Sequence, residues 1–156
     1  MRDNLLLPNQ FKVYGWLLLL ISIFGWLYVT ITGNSEIEMF NTNVFAFVGS
    51  NFFEETVFFK VIKTNITFTL IGLIFIIGGL IIIFSKERIE DEFIEMLRLK
   101  SFKIAFLINY LILLLLFIFI YGVEFINILI YNQFTMIIIF IIVFEVLLYR
   151  NKISAK

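Results

Sequence analysis

The 156-residue sequence is 62% hydrophobic and 15% charged, its 12 basic and 12 acidic residues cancel, and it has no histidine and no cysteine. Soluble domains run at about 45–50% apolar and about 25% charged, so this much Ile, Leu and Phe exceeds what one buried core can hold and is expected to face a lipid bilayer. Zero net charge excludes a global basic field for direct nucleic-acid binding. The missing cysteines exclude disulfides, thiolate metal sites and Cys nucleophiles, and the missing histidines remove the commonest general base and metal ligand. No cofactor is expected.

Residues 1–12 are a short polar lead containing the single proline, Pro8. A first apolar run covers about residues 13–32. Twenty residues at about 1.5 Å each match the roughly 30 Å hydrocarbon thickness. Tyr14 and Trp16 near one end, and Trp26 and Tyr28 near the other, suit an interfacial aromatic belt. The rival reading, a cleaved signal peptide, fits poorly because the run is too long and no A-x-A site follows.

Residues 33–65 form the longest loop. Ile37–Phe40 and Val44–Val48 are short β-favouring runs split by Asn41, Thr42 and Asn43, which predicts a small hairpin turning there, with Gly49, Ser50 and Asn51 turning the chain afterwards. Phe52, Phe53, Phe58 and Phe59 are expected on the membrane surface or capping the helices. Asn65-Ile66-Thr67 matches a glycosylation pattern but abuts the next span, and is read as chance.

The second span covers about 66–84. Its Gly72, Gly78 and Gly79 are expected to mark a helix-packing face, because small residues let backbones approach closely in lipid. Two further spans, about 104–123 and 128–149, are joined by the tight segment Glu124–Asn127. The fold expected is therefore an all-α membrane protein, residues 1–156 forming a single membrane-embedded bundle of four transmembrane helices. Ten Lys and Arg fall in the N-terminus, the 85–103 stretch and the C-terminus, and two in the 33–65 loop. The positive-inside rule then puts both termini and residues 85–103 in the cytoplasm, in a cell inner (plasma) membrane.

The 85–103 stretch, SKERIEDEFIEMLRLKSFK, holds ten charged residues and lacks Gly and Pro, so helix is the default. Ile89, Phe93, Met96 and Leu97 recur at i, i+4, i+7 and i+8 as one apolar face, with Glu87, Asp91, Glu95 and Arg98 opposite. Either the second and third helices extend past the membrane and turn near Ser85–Glu92, with the third helix reaching backwards as the favoured geometry, or a separate amphipathic helix lies on the inner leaflet. Five carboxylates, Glu87, Glu90, Asp91, Glu92 and Glu95, raise the question of a divalent metal. A calcium loop needs glycine turns that are absent here, so a solvated face paired as Glu95–Arg98 or Arg88–Glu92 is preferred. Within the spans, Glu145 is the one ionisable candidate. It lies close enough to the end of its helix to reach headgroups or Arg150. Asn109 is expected to bond between helices.

The stretches Glu90–Ser101, Asn109-Tyr110, Leu7–Trp16, Tyr131–Thr135 and Leu148–Lys152 together resemble a family of small four-helix integral membrane proteins of Bacteroidota. The resemblance covers nearly the whole chain and implies topology and lineage, with no activity attached. Similar proteins are often encoded beside small helix-turn-helix regulators, which implies a regulatory partnership. Family members carry a basic residue or histidine near the end of the fourth helix, where this chain has Val143-Phe144-Glu145, so no role for Glu145 follows from the family.

The function expected is that of a non-enzymatic sensor or adaptor docking a cytosolic protein through Glu90, Asp91, Glu92, Phe93, Met96, Leu97 and Arg98. The alternative is a homo-oligomeric pore gathering Asn109, Glu145, Thr67 and Thr69 around an axis. An enzyme is disfavoured, since the spans supply no base, nucleophile or spaced carboxylate pair.

Overall fold

The computed structural model of the protein describes residues 6–32, 41–49 and 57–154. It is mostly helical, with α1 (Gln10–Ile31), α2 (Thr67–Ile83), α3 (Glu92–Phe119) and α4 (Val123–Ser154), and with two strands, β1 (Asn41–Gly49) and β2 (Val57–Asn65), between α1 and α2. Three of the helices, α1, α3 and α4, are long and apolar enough to cross a membrane. α2 is equally apolar but has 17 residues, about 25 Å of helix. Hydrogen bonds from Leu70 N–H to Ile66 O and from Phe84 N–H to Leu80 O carry its ladder one residue further at each end.

The chain divides into two compact units, Met1–Leu20 with Phe75–Lys156, and Ile21–Ile74. In the first unit, α1 and α2 meet at glycines. A Cβ on Gly78 would lie 2.9 Å from Leu19 N and 3.0 Å from Gly15 O, and one on Gly15 would lie 3.0 Å from Gly78 O. Gly79 approaches Ile137 of α4 closely enough that a Cβ there would clash. Gly72 is half-buried in the second unit.

α3 turns Leu97, Ser101, Ala105 and Asn109 inward, every fourth residue, and the small side chains at its middle let α4 come close. The Ser101 hydroxyl is satisfied within its own helix by Leu97 O at 2.8 Å. α4 answers with Phe140, Ile141, Phe144 and Leu148, which with Leu19, Phe75 and Ile82 complete the core. The outward faces stay apolar, for example Leu107, Leu111, Leu114 and Ile118 on α3, each at least half exposed. Such surface suits lipid and not water.

Two boundaries differ from the sequence expectation. The connection between α3 and α4 falls at 120–122 and not at Glu124–Asn127, which form the first turn of α4. Gly122 sets it, with φ of +78°, a left-handed conformation that glycine adopts without steric cost. Residues 85–91 are not helical. Their backbone bonds sideways to the segment before α1, with Leu7 N–H donating to Phe84 O at 2.7 Å and Lys86 N–H to Leu7 O at 2.9 Å. Asp91 then starts α3, its carboxylate accepting Ile94 N–H at 2.8 Å, an N-cap that competes with any helix running through it.

In the second unit the two strands pair antiparallel, Asn41 opposite Asn65 through Gly49 opposite Val57. The hairpin is therefore built from Val44–Val48 and the Phe58–Lys63 region. Asn41, Thr42 and Asn43 are paired strand residues and not its turn, because Lys63, Thr64 and Asn65 complete their ladder. The Ile37–Phe40 run, with Ser50–Phe53, lies outside the described residues. Asn65 opens α2, its side-chain oxygen accepting from Thr67 N–H at 3.0 Å and Thr67 Oγ1 at 2.6 Å, which accounts for the Asn-Ile-Thr pattern as a helix cap.

Candidate functional site

Apart from Glu124 at the start of α4, the described charged residues of the first unit collect where α1 and α3 begin and α2 and α4 end. Lys12, in the first turn of α1, donates to Glu87 Oε1 at 2.6 Å and to Glu145 Oε1 at 2.8 Å. One ammonium thus ties α1 to the segment after α2 and to α4. Lys12 and Glu87 are well buried, at 15% and 16% side-chain exposure, whereas Glu145 is 43% exposed. Glu145 does find a cation near the helix end, but from α1 and not the Arg150 expected. Three long side chains at mixed depth are held here by charge-assisted bonds.

A second pair sits beside it. Arg98 Nη2 donates to both Glu90 oxygens at 3.0 and 3.1 Å, and Nη1 donates to Ile83 O at 2.6 Å and Ser85 O at 3.1 Å. These carbonyls end α2, so the guanidinium caps that helix where a cation also favours its dipole. The guanidinium carbon lies 5.1 Å from the centre of the Phe144 ring. Glu90 also accepts Glu87 N–H at 2.8 Å. The Glu95–Arg98 pairing expected from spacing is therefore replaced by Glu90–Arg98, because the chain turns at 85–91 and brings Glu90 over the start of α3.

The five carboxylates thus take separate tasks: Glu87 binds Lys12, Glu90 binds Arg98, Asp91 caps α3, and Glu92 and Glu95 occupy its first turn. Among the described residues no three acidic side chains converge as metal ligands would. The apolar face expected at Ile89, Phe93, Met96 and Leu97 does not stay together. Leu97 enters the core, while Ile89, Phe93 and Met96 are 77%, 43% and 57% exposed. Ile89 lies before the helix begins, so its helical spacing from Phe93 has no physical meaning.

A cavity of about 820 Å³ opens at this end, walled by Trp16, Leu97 and Leu148, with Lys12, Arg88 and Phe93 among the residues lining it. No family model, no curated protein and no solved structure matches the chain. Deeper in the first unit, Asn109 is buried and accepts from Asn132 Nδ2 of α4 at 3.4 Å, the interhelical bond its position predicts.

Sequence reasoning missed Lys12, placed in the polar lead, and Gly15, read as part of an ordinary apolar run. A usable signal existed for Lys12, since an acidic residue inside a helix end needs a cation at the same depth.

Proposed function

We propose that this is a four-span integral protein of the cell inner membrane, with α2 as the short second span, both termini and the 85–103 region cytoplasmic, and no catalytic activity. It belongs on this reading to the small four-helix Bacteroidota family that its sequence resembles. Its 85–103 end docks a cytosolic protein, so that the protein acts as a sensor or adaptor. One observation carries the docking role. Lys12, Glu87, Glu90 and Arg98 are consumed in closed pairs, while Arg88, Asp91, Glu92, Glu95 and Lys100 remain exposed around the exposed apolar side chains of Ile89, Phe93 and Met96. A charged rim, acidic over Asp91–Glu95, around an apolar patch complements a partner helix with an apolar face and a basic flank toward that segment. Glu90, Leu97 and Arg98 serve this surface from behind, by fixing the 85–91 turn.

The test is a photo-crosslinking residue placed at Met96 in cells. The expected result is an adduct with a cytosolic protein that disappears when Glu92→Arg and Glu95→Arg are introduced, with the melting temperature unchanged. An adduct that survives charge reversal, or lipid adducts alone, would sink the docking role. The homo-oligomeric pore draws less support, because three of the four polar groups it would gather are already used within one copy. Asn109 bonds Asn132, Glu145 bonds Lys12, and Thr67 bonds Asn65.

A further inference from the structure

The hairpin of the second unit carries a surface that the docking role does not use. In an antiparallel ladder, opposed residues share a face and residues alternate along each strand. Phe45 lies opposite Val61, and the Phe47 ring meets the Phe59 ring edge-on at 5.5 Å. Phe45 and Phe47 pack in the same manner, also at 5.5 Å. These four side chains are 58–68% exposed; on the other face Val44, Ala46 and Ile62 are half-buried, while the Val48–Phe58 pair at its far end is exposed at 62% and 65%. Lys63, opposite Asn43, ends the apolar face on the side where β2 runs into α2.

The backbone is strained at the centre of this face. Phe59 has φ of +50°, a region that bulky residues rarely occupy. The flanking pairs Ala46–Lys60 and Val48–Phe58 are kept on either side of it. Strain of this kind persists where surrounding structure holds it, and it gathers at working surfaces. Here it goes with a ring set edge-on against Phe47 and facing outward.

We infer that the Phe45, Phe47, Phe59 and Val61 face lies on the lipid surface, in the interfacial layer of the bilayer that the helices cross. A single residue, Ile66, separates β2 from α2, so the root of the hairpin is fixed at the membrane boundary. Nine strand residues reach about 30 Å, and an upright hairpin would carry this face far into water. The apolar surface is also continuous in kind with its own unit, where Phe24, Tyr28 and Ile31 of α1 and Phe68 of α2 are more than half exposed. Lys63 matches anionic headgroups at the polar margin. A lone two-stranded hairpin is marginal in water, and a lipid surface supplies the missing layer.

This inference rests on the membrane-spanning reading, and the test separates the two. The protein contains two tryptophans, Trp16 and Trp26. A W16F form keeps Trp26 on α1 as a span reporter, and a W16F/W26F/F47W form reports on the hairpin. Both are reconstituted into phosphatidylcholine–phosphatidylglycerol vesicles with acyl chains brominated near the headgroup. The expected result is at least twofold quenching of both reporters, with the Phe47→Trp signal shielded from iodide. Iodide quenching of Phe47→Trp without bromolipid quenching, while Trp26 is quenched, would overturn the inference and leave the spans intact. Shielding from both quenchers would instead mean a protein contact, such as a second copy, and would overturn it too. Failure to quench Trp26 would remove the spanning reading itself. Phe45→Trp, on the same face, repeats the measurement should Phe47→Trp fail to fold.

Discussion

Lys12 is the residue through which α1, the 85–91 turn and α4 are tied, and its two carboxylate partners differ in how much they depend on it. Exposed ion pairs are worth about 0–1 kcal/mol, while removing one partner of a buried pair costs about 3–5 kcal/mol. The Lys12 site lies between these limits. Lys12→Met is therefore expected to destabilise the protein by about 2 kcal/mol, as read by denaturant unfolding in mixed micelles. Glu87→Gln should cost more than Glu145→Gln, because Glu145 is the more exposed carboxylate. The reverse order would mean that Glu145 is the principal partner. Arg98→Lys is also expected to be damaging, by about 2–3 kcal/mol, since a lysine cannot reproduce the fork that reaches Glu90 and two carbonyls together. A melting curve matching the parent would contradict this.

At the scale of the elements, the glycines divide by what they face. Gly78 stands against the backbone of α1, at Leu19 N and Gly15 O, and backbone cannot rotate away. Gly78→Ala is expected to cost about 1–3 kcal/mol, as overpacking does. Gly79→Ala meets only the Ile137 side chain and should cost less, which paired unfolding curves would resolve. These sites also mark what a sequence can show. The long apolar helices were legible because their length and composition have one cheap explanation, burial in lipid, and Gly78 and Gly79 were legible as packing positions because small residues are what close approach requires. The hairpin was half legible. Val44–Val48 has the right β pattern, but its partner strand was set by pairing across a loop, and Asn41–Asn43 look like a turn until the Lys63–Asn65 side is known. The turn near 85–92 was legible as one of two geometries open to the charged stretch, but its non-helical backbone was not. Its residues have ordinary helix propensity, and what stops the helix is partly local, the Asp91 cap, and partly tertiary, the Leu7 backbone and Arg98.

For the whole molecule, the proposed four-span topology depends on α2 crossing the membrane despite its 17 residues. A short span is accommodated by local thinning of the bilayer at modest cost, and α2 contains no charged residue to oppose insertion. If it crosses, the hairpin and the 85–103 end lie on opposite sides. The native chain has no cysteine, so single cysteines at Asn41 and Glu95, both exposed, report each side without background. A membrane-impermeant maleimide applied to intact spheroplasts is expected to label Asn41→Cys, and to label Glu95→Cys only after permeabilisation. Labelling of both positions from the same side would contradict the four-span topology, and labelling of Glu95→Cys in intact spheroplasts would also remove the cytosolic docking surface.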